Sequence, residues 1–179
     1  GSNATPTVSI AASATTICTG NAVTFTATPV NGGTTPSYQW KVNTTNVGTN
    51  SATFTSSSLV NGDVVTVIMT SNANCVSTTT ATSNAVTILV TAPVTPAVTF
   101  TSSATSICAG QNVTFTASPT NGGNTPAYQW KLNGNNVGTN SSTYTTAVLA
   151  NNDAVSVLVT SSAACANPAT ATSNTVLMT

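Results

Sequence analysis

The chain repeats itself with a period of 90 residues, and this bounds every architecture open to it. Trp40 and Trp130 lie 90 residues apart, as do Cys18 and Cys108, Cys75 and Cys165, and Asp63 and Asp153. Residues 8–89 overlay residues 98–179 without a gap, and 46 of the 82 positions are identical. Solenoid units of roughly 20–50 residues share one continuous core, whereas a unit of this length can close a core of its own. The sequence therefore predicts two tandem domains, residues 5–92 and 98–179, joined by a short linker at 93–97 that contains Pro93 and Pro96. Two prolines in so few residues favour an extended, semi-rigid spacer. The opening Gly1-Ser2-Asn3-Ala4 looks like a cloning remnant, so we expect a piece of a longer protein.

Within each copy the apolar residues alternate with polar ones. Val23, Phe25 and Ala27 share one side of a strand, with Thr24, Thr26 and Thr28 on the other. Tyr38, Trp40 and Val42 form a second apolar face, Val65, Val67 and Met69 a third, and Val86, Ile88 and Val90 a fourth. The second copy repeats the scheme with Val113/Phe115, Tyr128/Trp130/Leu132 and Val155/Val157/Val159. A period of two gives each strand one buried and one wet face, as in antiparallel sheets. Turn signals such as Asn31-Gly32-Gly33 and Asn61-Gly62-Asp63 fall between the runs. The fold class expected is all-β: two tandem immunoglobulin-like antiparallel β-sandwiches of about seven strands each, with Trp40 and Trp130 packed between the sheets.

Composition supports strands and excludes several functions. Charged residues make up 2% of the chain, against roughly 25% in ordinary domains. Threonine, a strand former, is the commonest residue at 40 copies. With a net charge of zero there is no electrostatic footprint for nucleic acid or a membrane surface. No apolar run approaches the 18 or more residues of a membrane-spanning helix. Without histidine or glutamate, and with one aspartate per copy, neither a Ser-His-Asp triad nor a paired-carboxylate site can be assembled. The same lack of ligands excludes a calcium cage and leaves no cofactor or metal expected. We expect no enzyme activity.

The shared pattern of the copies, including NGGxTPxYQWK, VGTNSxT and TATSNxV, resembles the immunoglobulin-like, PKD-like repeats of large secreted proteins of Bacteroidota. The resemblance covers Cys18–Val86 and Cys108–Val176, nearly all of both copies. In that family such modules form tandem arrays on surface adhesins and secreted hydrolases, and carry no known catalytic set. It implies an extracellular, cell-surface location.

Three groups of residues invite a site. Cys18, Cys75, Cys108 and Cys165 supply one pair per copy, and pairing within each copy is the expected connectivity, with free thiols as the alternative. Disulfides would again place the chain outside the cell. Tyr38 and Trp40 could stack on a sugar ring, yet their place on an amphipathic strand assigns them to the core. Lys41 and Asp63 invite an isopeptide bond with an asparagine, but Lys41 alternates with the inward-facing Trp40 and should face solvent. The leading expectation is a structural spacer whose partners are neighbouring repeats of the same chain, itself a monomer. A carbohydrate- or surface-glycan-binding module is the alternative. An ice-binding threonine array is weaker, because sheet twist breaks up long flat ranks.

Overall fold

The computed structural model describes residues 4–179, so most of the suspected cloning remnant, Gly1–Asn3, lies outside the described residues. The chain divides into two compact units, Gly1–Ala92 and Pro93–Thr179. Among the described residues there is no helix, and hence none long and apolar enough to cross a membrane.

The first unit contains β1 (Thr7–Ala12), β2 (Thr16–Cys18), β3 (Val23–Val30), β4 (Ser37–Val42) and β5 (Thr45–Val47). It continues with β6 (Thr53–Ser56), β7 (Val64–Thr70), β8 (Thr80–Thr82), β9 (Val86–Thr87) and β10 (Leu89–Thr91). One sheet has the order β1-β3-β6 and the other β5-β4-β7-β8, with β9 also on β7. The more numerous strands come from breaks in the first and last ones: β2 leaves β1 to pair parallel with β10. The second unit repeats the plan with β11 (Ala97–Ser102), β12 (Val113–Thr120), β13 (Ala127–Leu132) and β14 (Asn135–Val137). Its remaining strands are β15 (Thr143–Thr146), β16 (Ala154–Thr160), β17 (Thr170–Thr172) and β18 (Val176–Leu177). Their sheets are β11-β12-β15 and β14-β13-β16-β17, with β18 on β16. The stretch assigned to a linker is partly built into this unit, since Val94 forms a parallel bridge with Ala166 and β11 starts at Ala97.

Period-two patterning places the core between the sheets. Val23, Phe25, Trp40, Val65, Val67, Met69 and Ile88 are fully buried, and Val113, Phe115, Trp130, Val155, Val157, Val159 and Met178 occupy the same places in the second unit. Trp40 packs against Phe25 and Phe54, with ring centres 6.3 and 5.8 Å away. Trp130 is surrounded by Phe100, Phe115 and Tyr144 at 5.5, 6.0 and 6.0 Å. Each buried indole N–H needs an acceptor, and finds one in the carbonyl of Ser51 (2.8 Å) or Ser141 (3.0 Å).

Each unit has two distinct poles. At the N-terminal pole of the first, Ala4 N–H donates to the Cys75 carbonyl (3.0 Å), and Asn31 Nδ2 donates to the Thr5 carbonyl (2.9 Å). At the C-terminal pole, Thr19 N–H donates to the Thr91 carbonyl (3.1 Å), and Val90 N–H donates to Asn61 Oδ1 (3.0 Å). β3, eight residues long, runs from the second pole to the first, a distance of about 26 Å.

Candidate functional site

The cysteines are the most reactive side chains in the molecule, and their placement corrects the expected pairing. Cys18 ends β2, beside the hydrogen bond from Thr19 to Thr91 at the C-terminal pole. Cys75 lies beyond β7 at the N-terminal pole, where its carbonyl holds Ala4. A disulfide needs Cα atoms within about 7 Å, and these poles are separated by most of the length of β3. Cys75 and Cys108 accordingly carry free, exposed thiols, while Cys18 and Cys165 are disulfide-bonded. The intra-repeat bridges Cys18–Cys75 and Cys108–Cys165 are therefore absent. Equal spacing in the two copies showed that the cysteines were equivalent, but not that each pair straddles its sandwich.

Trp40 and Trp130 have no exposed surface, so neither presents a face to a sugar ring. Tyr38 and Tyr128 are partly buried and pack on the same cores. Lys41 lies on β4 beside Trp40, opposite Asn46 and Thr66 in the neighbouring strands. The carboxylate of Asp63 is occupied locally: Oδ1 accepts from Asn43 Nδ2 and Oδ2 from Val60 N–H, both at 2.9 Å. The second unit rebuilds this clamp around Asp153, which accepts from Asn133 Nδ2 and Ala150 N–H at 2.7 Å each. The Ala150 N–H, and then the Asn133 amide, hold the Asp153 carboxyl below the usual aspartate range, with burial a smaller opposing influence. Both aspartates thus tie a turn to the following strand. Among the described residues, no group of three or more His, Cys, Asp or Glu converges on a point.

A groove of about 580 Å³ runs along the first unit, lined by Val42, Val47, Phe54, Ser56, Leu59 and Asp63 among others. The sequence carried little signal for it, because it forms between the short edge strands and the 57–59 loop. Asn72 was also missed as a structural residue. Its side chain accepts from Thr35 N–H (3.0 Å) and donates to Thr35 Oγ1 (2.8 Å), clamping the Asn31–Pro36 turn. The Asn-Gly-Gly motif marked one half of that clamp, but the other half is 37 residues away.

No family model matches the chain, and no curated protein matches its sequence. Solved structures do match. The N-terminal eight Ig domains of Down syndrome cell adhesion molecule align with 98% of this chain at 14% identity, with a TM-score of 0.50. The fold is immunoglobulin-like. The three N-terminal domains of the bacteriophage RB49 highly immunogenic outer capsid protein align with 97% of this chain at 15% identity, with a TM-score of 0.47. Fibronectin(III)-like modules of CbhA from Clostridium thermocellum align with 92% at 14% identity and a TM-score of 0.43. This chain spans 58% of the length of the phage structure and 27% of the adhesion-molecule structure. In the immunoglobulin-like units found here, Phe25 and Met69 are fully buried on β3 and β7. These are the strands whose middles a disulfide joins in antibody domains.

Proposed function

We propose that the chain is a pair of non-enzymatic, extracellular structural repeats that space other domains of a large surface adhesin or secreted protein, of the PKD-like type found in Bacteroidota. The observation that carries this reading is the polarity of each unit. The first admits the chain at the Ala4–Thr5 pole and releases it at the Thr91 pole, with β3 running between them. A module with its termini at opposite ends adds length for every copy inserted. Its aromatic residues and aspartates are spent on packing and turn clamps, which agrees with a module selected for shape. Sequence resemblance and an oxidised Cys18 and Cys165 support the extracellular setting.

The alternative, a glycan-binding module, is favoured by the groove that brings Asn43, Thr45, Thr55, Ser56, Ser57 and Ser58 around Phe54. Affinity electrophoresis through gels containing neutral or acidic polysaccharides separates the two readings. A spacer migrates unchanged in every gel. Retardation that is lost in Phe54→Ala and Asn43→Ala variants, with folding intact by circular dichroism, would replace the spacer reading with the glycan-binding one.

A further inference from the structure

We propose that Asn133 is a self-modification site: the Gly134 peptide nitrogen closes on the Asn133 side chain, ammonia leaves, and hydrolysis of the cyclic imide leaves a carboxylate beside Asp153. The site lies wholly within the second unit, and its chemistry does not depend on whether the chain spaces other domains or binds a glycan.

The chain holds four Asn-Gly pairs: Asn31-Gly32, Asn61-Gly62, Asn121-Gly122 and Asn133-Gly134. Asparagine is thermolabile, and a following glycine offers a peptide nitrogen with no side chain to obstruct its approach. The fold shields three of the four. Gly62 N–H donates to the Ile88 carbonyl at 2.9 Å. Gly32 and Gly122 are buried, and the Asn31 and Asn121 carbonyls before them accept from Ser71 and Ser161 Oγ at 2.8 and 2.6 Å. A buried N–H is out of reach of the water or hydroxide that must take its proton.

The fourth pair is open. Asn133 and Gly134 form the exposed turn between β13 and β14, where Leu132 pairs with Asn135. Among the described residues, neither the Asn133 carbonyl nor the Gly134 N–H has a hydrogen-bond partner. Apart from its chain neighbours, nothing lies within 4 Å of where a Cβ on Gly134 would stand. The Asn133 side chain is held as the electrophile: Ala154 N–H donates to its Oδ1 at 2.9 Å, and its Nδ2 donates to Asp153 Oδ1 at 2.7 Å. A donor on Oδ1 stabilises the negative charge that this oxygen takes up during attack. The first unit contains the matched control. Asn43 makes the same two bonds, from Val64 N–H (3.1 Å) and to Asp63 Oδ1 (2.9 Å), but is followed by Thr44. The stiff, β-branched threonine crowds the approach that glycine leaves free.

In the reaction the Gly134 nitrogen loses its proton to water and bonds to Asn133 Cγ. The Cγ–Nδ2 bond breaks, and the amide group takes up a proton and leaves as ammonia. Water then opens the ring at either carbonyl, giving aspartate or, with the backbone rerouted through the side chain, isoaspartate. Either product adds a negative charge to a chain whose net charge is zero. Aspartate also replaces the Nδ2 donor with a second carboxylate facing Asp153, so a hydrogen bond becomes like-charge repulsion.

The test incubates the intact two-repeat protein at mildly alkaline pH in heavy-oxygen water, with and without urea, and locates the label by peptide mapping. Without urea, Asn133 should take up one heavy oxygen several-fold faster than Asn31, Asn61, Asn121 or Asn43. Isoaspartate should be among the products, and a more acidic band should appear on isoelectric focusing. In urea the four Asn-Gly pairs should react at similar rates, with Asn43 still slow, because the fold makes the selection. Aged protein and the Asn133→Asp variant should both show a lower melting temperature for the second unit. Gly134→Ala should slow uptake at Asn133; its positive φ strains alanine, so the comparison with and without urea tests the proposal on the unaltered chain. Folded protein that converts another Asn-Gly pair first, that shows the same pattern as in urea, or that keeps Asn133 unlabelled would overturn the proposal.

Discussion

Single residues carry unusual weight in a chain with so few large or charged ones. Trp40 fills the centre of its sandwich and satisfies its N–H internally. Trp40→Ala removes that volume and should cost the first unit about 3–5 kcal/mol in chemical denaturation. Wild-type tryptophan emission should be blue-shifted and resist iodide quenching; red-shifted, readily quenched emission would contradict the packing. Asp153 allows a pH prediction. Its folded-state pKa is depressed, so its stabilising effect is fully present above the unfolded-state value near 3.8 and is lost as pH falls through the folded value. The melting temperature of the second unit should be flat above about pH 5 and decline below about pH 4. With two side-chain carboxylates in the whole chain, the acid response has few other sources. Asp153→Ala should lower the melting temperature at neutral pH and flatten its decline in acid.

At the scale of elements, strands were legible in the sequence and the connections at their ends were not. Alternation around Phe25, Trp40 and Val67 revealed each strand and its buried face, because side-chain direction in a strand has period two. Breaks such as the one between β1 and β2 depend on tertiary pairing: β2 separates because β10, over 70 residues later, offers it a parallel partner. The same limit concealed the poles, and with them the true relation of Cys18 to Cys75. Gly33 shows how local and distant signals meet. It has φ +85°, and an added Cβ would run into Asn72 Oδ1 and the Ala73 amide, so the turn requires glycine. Gly33→Ala should destabilise the first unit by roughly 1–3 kcal/mol. Gly20→Ala, also at positive φ but facing open space, should cost about 1–2 kcal/mol. Equal losses in paired melting curves would show that the contact with Asn72 contributes little.

For the whole molecule, the central claim is that successive repeats add length. Near-absence of charge leaves little Coulomb energy for salt to screen, so melting should shift by no more than a degree or two between low and seawater-like ionic strength. An acidic or basic spacer of the same fold would respond to salt through its own self-repulsion. The most direct measurement is small-angle X-ray scattering of the oxidised two-repeat chain. With strands rising about 3.3 Å per residue and turns adding to both ends, each unit should be roughly 35–45 Å long. Under the spacer proposal, head-to-tail units should give a monomer with a maximum dimension of about 70–90 Å. A monomer of about 50 Å, with its units packed side by side, would contradict the spacer account.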